Sequence, residues 1–124
     1  MTHEPPLKGI KVLDLTQFMA GPFCTMLLAD MGADVIKIEK PSGGDDIRRS
    51  GPPFVKGESA AFMGINRNKR SVVIDLKSDE GQSIVRRMAR DADVLVENMR
   101  PGTLDRMGLG YEDLRTGNPA LVYC

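Results

Sequence analysis

The feature that most constrains this chain is the alternation of its apolar stretches. Ile10 to Leu15 reads Ile-Lys-Val-Leu-Asp-Leu, apolar enough for a buried strand, with Asp14 as the exception. Gly21-Pro22 follows, and proline suits the first turn of a helix. Phe23 to Met31 supplies that helix, and Gly32 stops it. Ala33 to Glu39 is rich in β-branched residues and predicts a second strand. A strand, a helix and a strand within about 30 residues is the size of a parallel βαβ crossover. The pattern then returns. Ser71 to Leu76 predicts a strand, and Ser78 an N-cap. Asp79 and Glu80 suit the positive end of the following helix. Ile84, Val85, Met88 and Ala89 form its apolar face. Val94 to Glu97 predicts the next strand. Pro101–Met107 and Tyr111–Arg115 predict short helical pieces around Gly108 and Gly110, and Leu121 to Cys124 opens a last strand. Strands alternating with single helices imply a parallel sheet covered by helices, and near-continuous apolar strands fit burial on both faces. The predicted fold is α/β: a Rossmann-like, doubly wound parallel sheet with flanking helices.

One stretch breaks the alternation. Residues 41 to 60 are rich in Gly, Pro, Ser and charge and predict a long irregular loop, which continues to residue 67. Loops of this length in compact domains are functional or disordered. The whole chain has 124 residues, the size of one ordinary domain, yet Leu121-Val122-Tyr123-Cys124 reads as the interior of a strand. The expectation is therefore a portion of a domain.

Composition excludes several classes. Lys plus Arg and Asp plus Glu both number 17, which argues against a protein that grips nucleic acid by bulk charge. No run of 18 apolar residues predicts a membrane span, and Met1 to Pro6 lacks the basic-then-apolar pattern of a signal peptide. Cys24 and Cys124 form no CxxC, so neither a disulfide framework nor a zinc site is expected, and a reducing cytoplasm is the default. His3 is the only histidine, and the residues around it predict a loose N-terminus. No His-dependent triad and no His-ligated metal site is expected.

In doubly wound sheets ligands bind at the carboxyl ends of strands, near a switch in strand order. Those ends carry Thr16, Gln17, Phe18 and Met19; Glu39 and Lys40; Asp75 and Lys77; and Glu97, Asn98 and Met99, with Arg106 following closely. They suit a ligand with phosphates and an aromatic base. A second reading stays open with equal weight: strand ends carry polar residues because they meet solvent. The Arg67-Asn68-Lys69-Arg70 run reads first as a solvated turn, with phosphate or an acidic partner as the alternative. Arg86, Arg87 and Arg90 read as a dipole-complementing surface. Ala20-Gly21-Pro22-Phe23 is neither GxGxxG nor a P-loop, and Gly108-Leu109-Gly110 is a lone GxG in a turn. Cys24 lies just inside a helix N-terminus, but its apolar flank predicts a buried structural cysteine. Asp45 and Asp46, adjacent in a Gly-rich loop, read as solvated.

Taken in order, several segments resemble the family III CoA-transferases, the group of carnitine CoA-transferase and bile-acid-inducible protein F. They are Gly9 to Thr16, Ala20 to Cys24, Leu28 to Glu39, Asn66 to Ser71, Ile74 to Lys77, Val94 to Gly102, Leu104 to Tyr111 and Asn118 to Tyr123. The similarity spans nearly the whole chain. It implies that residues 1–124 are the N-terminal, coenzyme-A-binding part of a Rossmann-like large domain, in a protein that forms an interlocked homodimer. It implies an enzyme that moves coenzyme A between carboxylic acids, with acyl-CoA and a carboxylic acid as its partners. It implies no part for a metal, nucleic acid or membrane. The coenzyme-A-binding residues that it points to are Phe18, Ala20, Lys40, Ile74, Lys77, Asn98, Met99, Arg106 and Met107. Lys40, Lys77 and Arg106 would face phosphates, and Ile74 and the two methionines would line the adenine.

The resemblance also has departures. The family's nucleophilic aspartate, which forms an acyl–aspartyl anhydride, follows the Tyr123 strand in the family. No carboxylate in this chain inherits that role, and the 124 residues alone are expected to be inactive. Met19 stands where formyl-CoA:oxalate members resemble one another in a Gln, which argues against oxalate. The long loop favours the transferase branch over the acyl-CoA racemases, which remain the alternative together with a non-catalytic CoA- or nucleotide-binding module.

Overall fold

A computed structural model of the chain describes residues 4–124; His3 and the start of the N-terminal segment lie outside the described residues. The elements are β1 (Lys11–Asp14), α1 (Ala20–Asp30), β2 (Asp34–Glu39), a 3-10 helix (Asp46–Arg49), β3 (Phe54–Val55), β4 (Glu58–Ser59), α2 (Ala60–Ile65), β5 (Lys69–Val73), α3 (Asp79–Arg90), β6 (Val94–Val96), a second 3-10 turn (Asp105–Met107), α4 (Tyr111–Arg115) and β7 (Val122–Tyr123). Five strands form one sheet in the order β5-β2-β1-β6-β7, every pairing parallel. This is the α/β arrangement that the sequence predicts. The chain builds outward from β1 through β2 to β5, then returns to the other side of β1 with β6. The switch in strand order therefore lies between β1 and β6.

Alternation along the strands sends side chains to opposite faces. On one face Val12, Val35 and Val96 pack with Ala29 of α1 and with Ala33. On the other, Leu13, Leu15, Ile38 and Leu95 pack with Val85 and Ala89 of α3 and with Leu104, Leu109, Leu114 and Leu121. α3 starts as its sequence predicts: the Ser78 hydroxyl accepts from the Gly81 amide at 3.0 Å, acids occupy the first turn and Arg87 and Arg90 the last. Ile84, expected on the apolar face, is instead exposed. The buried line runs through Gly81, Val85 and Ala89 at four-residue spacing, which turns Ile84 aside.

Two further departures matter for the site. The third predicted strand, Ser71 to Leu76, is displaced to Lys69–Val73. β2 stops at Glu39, so β5 can pair only up to Val73. The Ile74 amide donates to the Glu39 carbonyl, and the chain then turns over the sheet's carboxyl edge. The segment that reads as irregular up to residue 67 holds a 3-10 helix, the β3–β4 hairpin and α2. Lys56 and Gly57, both at positive φ, make the two-residue turn that a tight hairpin needs. The Ser59 side chain caps α2 by accepting from the Phe62 amide.

This segment is held on the α1 face of the sheet by charge as well as by the buried side chain of Ile47. Asp14, Lys37, Glu39 and Asp45 are all buried. The Lys69 ammonium donates to the Asp14 carboxylate, the Pro22 carbonyl and the Asn66 amide oxygen, each at 2.9 Å. Arg48 donates to both oxygens of Glu39 at 2.7 Å and lies 3.6 Å from the centre of the Phe62 ring. Every buried side-chain nitrogen and oxygen among the described residues has a hydrogen-bond partner.

Candidate coenzyme site at the carboxyl edge of the sheet

The connection from β1 to α1 crosses the switch point. The Gln17 amide donates to the Asn98 side-chain oxygen at 2.8 Å, and the Asn98 side-chain nitrogen donates back to the Gln17 carbonyl at 2.7 Å. This paired contact bridges the loops that follow β1 and β6. Phe18 has a φ of 72°, the left-handed region that a bulky residue seldom occupies. Its side chain is exposed, as is that of Met19. Gly21 opens α1 where a side chain cannot fit, because a Cβ there would overlap the buried Thr16 side chain.

Two hollows line this edge. One, of about 160 Å³, is bounded by Gln17, Ile38, Lys40, Ile74, Lys77, Met99 and Met107, among others. The second, of about 470 Å³, is bounded by Gln17, Phe18, Asn98, Met99, Arg100 and Thr103. Gln17 and Met99 belong to both, so the two run on into each other. Of the nine residues pointed to by the sequence, Lys40, Ile74, Lys77, Met99 and Met107 meet in the first hollow, and Phe18, Asn98 and again Met99 in the second. Ala20 begins α1 beside Phe18, outside both. Arg106 is exposed, with its guanidinium 3.4 Å from the Thr103 hydroxyl, also outside both. Ile74 enters the first hollow because β5 ends early. β5 thus ends three residues short of the predicted strand, and Ile74, packed into the core with Leu13 and Leu15, also forms a wall of this hollow. A third groove, of about 390 Å³ beside the C-terminal half of α3, lies away from all of these residues.

The charges divide into two groups. Lys40 pairs at 2.7 Å with Asp46, whose carboxyl is held below its ordinary range by that hydrogen bond. Glu39, which the sequence places among the ligand-facing strand ends, is buried. Burial pushes its pKa up, but hydrogen bonds from Arg48, the Ser71 hydroxyl and the Asp45 amide, with the charge of Arg48, outweigh that and hold it at about 2. Glu39 is thus a structural anion. Among the described residues no three His, Cys, Asp or Glu side chains gather as metal ligands.

Asp45, the Arg67–Arg70 run and Cys24 differ from what the sequence predicts. Asp45 is buried, not solvated. Its carboxylate caps the 3-10 helix at the Ile47 amide, accepts from the Phe18 amide and pairs with Lys37 at 2.9 Å. Nothing in the run Gly43-Gly44-Asp45-Asp46 signals this, because the partner cation sits inside β2. The Arg67–Arg70 run is a solvated turn only in part. Arg67 and Arg70 pair with Asp30 and Asp34 at the surface, while Lys69 is sealed against Asp14. Asp14, noted as the exception in its strand, was the available signal for that buried pair. Cys24 is exposed rather than buried, because α1 turns Thr25, Met26 and Ala29 toward the sheet and Phe23, Cys24 and Leu27 outward.

A parallel sheet of this order, with a ligand-sized edge at its switch point, defines a Rossmann-like α/β unit. The sequence comparisons make that more specific. The model of CoA-transferase family III matches residues 7–124, and the chain belongs to that family. It is 50% identical over 124 residues to succinyl-CoA:glutarate CoA-transferase of Homo sapiens, covering all of this chain and 28% of that protein. It is 53% identical over 128 residues to succinate–glutarate CoA-transferase of Agrobacterium fabrum, covering 98% of this chain and 32% of that one. The crystal structure of a CaiB/BaiF family protein from Brucella suis superposes with a TM-score of 0.93 at 48% identity, over 98% of this chain and 33% of that one. The chain therefore spans about a third of the length of the relatives that it matches. No helix among the described residues is long and apolar enough to cross a membrane.

Proposed function

We propose that this chain supplies the coenzyme-A site of a CoA-transferase that moves coenzyme A between carboxylic acids. The observation that carries the reading is the meeting of Lys40, Ile74, Lys77, Met99 and Met107 around one hollow at the carboxyl edge, in a chain of this family. Lys40 and Lys77 offer ammonium groups for phosphates, and Ile74 with the methionines offers an adaptable apolar wall for adenine. Phe18, Ala20, Asn98 and Arg106 extend the same edge toward the switch point. Relatives that are named for succinate and glutarate favour dicarboxylic acids as acyl donor and acceptor. The bond changes would follow carboxylate catalysis. An aspartate carboxylate attacks the acyl thioester and coenzyme A leaves as the thiolate. That thiolate attacks the aspartyl carbonyl of the mixed anhydride, which frees the donor acid as its carboxylate and leaves an aspartyl–CoA thioester. The acceptor carboxylate then takes up coenzyme A by the same two steps in reverse. None of this chain's carboxylates is assigned the attack, because none matches the family's nucleophile in the resemblance, and the buried acids Asp14, Asp45 and Glu39 are in addition committed to cations or structural hydrogen bonds. The reading carries a homodimer with it, and two unpaired thiols suit a reducing cytoplasm. An acyl-CoA racemase of the same superfamily is the second reading. The long segment between β2 and β5 favours transfer.

Calorimetric titration of the 124-residue chain with coenzyme A, dephospho-CoA and NAD tests the site. Coenzyme A binds best, and Lys77→Ala or Lys40→Ala weakens it several-fold. Dephospho-CoA or NAD binding as tightly as coenzyme A overturns the assignment of those lysines to phosphates. Transfer of coenzyme A from succinyl-CoA by this chain alone overturns the view that the nucleophile is not among its carboxylates.

A further inference from the structure

The β1–α1 connection is gripped, residue by residue, by side chains from three other segments. Lys37 of β2 donates to the Thr16 carbonyl at 2.8 Å. Asn98 makes its two-way contact with Gln17. The Asp45 carboxylate accepts from the Phe18 amide with both oxygens, at 3.0 and 3.2 Å. Lys37 and Asp45 are themselves 2.9 Å apart, each side chain only 1% exposed. An aromatic residue at a φ of 72° is unfavourable unless its surroundings enforce it. The side chain that holds the Phe18 amide in this conformation is that of Asp45. A carboxylate accepts only, so beside Lys37 it can face two amides and an ammonium without presenting a donor to any of them. Ion pairs this deeply buried are weak sources of stability, since well-packed apolar residues serve as well. The geometric role is what an apolar pair would lose.

We propose that Asp45, backed by Lys37, is a positioning residue: it locks the left-handed turn at Phe18 and so presents Gln17 and Phe18 to the coenzyme at the switch point. The inference rests on the coenzyme-A reading given above. It assigns a role in ligand binding to two side chains that line neither the 160 Å³ nor the 470 Å³ hollow.

The test replaces the pair by apolar residues, Lys37→Met with Asp45→Leu, in the 124-residue chain. Three quantities are read: the melting temperature, coenzyme-A affinity by calorimetry, and the exchange rate of the Phe18 amide by NMR. The double variant melts within about 5 °C of the parent. Its Phe18 amide exchanges about tenfold faster or more, and its coenzyme-A affinity falls about tenfold. A cooperatively melting double variant with parental affinity, or with a parental Phe18 exchange rate, overturns the proposal and leaves the coenzyme-A site intact. A parent chain that fails to bind coenzyme A overturns the site reading, and this proposal with it. If the double variant loses its cooperative melt, Asp45→Asn takes its place. That variant keeps the side chain's shape but turns a donor toward Lys37 or an amide, so Phe18 exchange rises and affinity falls. Parental values in it overturn the proposal.

Discussion

The Lys69 ammonium lies 2.9 Å from the Asp14 carboxylate, at the amino end of the edge strand β5 and the carboxyl end of the central strand β1, and both side chains are sealed from solvent. Thr16 and Thr25 donate their hydroxyls to the same carboxylate. Burial pushes the Lys69 pKa down, against the pull of Asp14 upward. This one pair joins β1, α1, β5 and the C-terminal end of α2 through Asn66.

Removing one member leaves the other as a buried, uncompensated charge. Lys69→Met therefore costs about 3–5 kcal/mol of stability, read from urea denaturation midpoints at constant slope. Asp14→Asn with Lys69→Met, which removes both charges, loses less than Lys69→Met alone. Equal losses would mean that the pair is not coupled.

Glu39 sets an acid limit. Its folded pKa of about 2 lies below the unfolded value of 4.5. A depressed carboxyl pKa contributes stability that is fully present above the unfolded value and lost as pH falls through the folded one. Stability accordingly declines between pH 4.5 and about 2. The contribution at neutral pH is on the order of 2 kcal/mol, reduced from the full linkage value because Arg48 reaches partly into solvent. Arg48→Met flattens that part of the acid titration of stability. An unchanged slope in the variant would assign the acid limit to other carboxyls.

Gly21→Ala places a methyl group against Thr16, itself fully buried beneath α1. Overpacking of this kind costs about 1–3 kcal/mol, although alanine is the better helix former. Thermal melts check the sign: a rise in melting temperature would show that Thr16 can give way.

Cys24 and Cys124 are both free and exposed. Two thiols per chain react with an aromatic disulfide reagent under native conditions, at rates that denaturant changes little. A single fast equivalent would place one thiol in a protected setting.

Much of this protein is legible in its sequence. The strand–helix alternation, the Ser78 cap and the apolar runs determine a parallel α/β sheet, because backbone periodicity and capping are local properties. The ordered segments from Gly9 to Tyr123 determine the family for the same reason, being matched one stretch at a time. Of the residues that the resemblance names, Phe18, Lys40, Asn98 and Met99 follow the carboxyl ends of β1, β2 and β6 because strand direction sends them there. What tertiary structure decided is which charges meet. Asp45 reads as a solvated acid in a glycine-rich loop until Lys37, eight positions earlier and facing α1, supplies its counter-ion. Lys69 reads as part of a surface run until register sets β5 beside β2 and carries its ammonium to Asp14. Glu39 reads as a strand-end ligand until Arg48 folds back over it. Ile74 reads as a strand residue until β2 ends and releases it into the hollow. Electrostatic pairing acts through space and depends on distance and burial, and neither is a function of separation along the chain. The sequence therefore determines the sheet and its edge. Only the packed structure determines which polar groups anchor that edge and which are left to face a ligand.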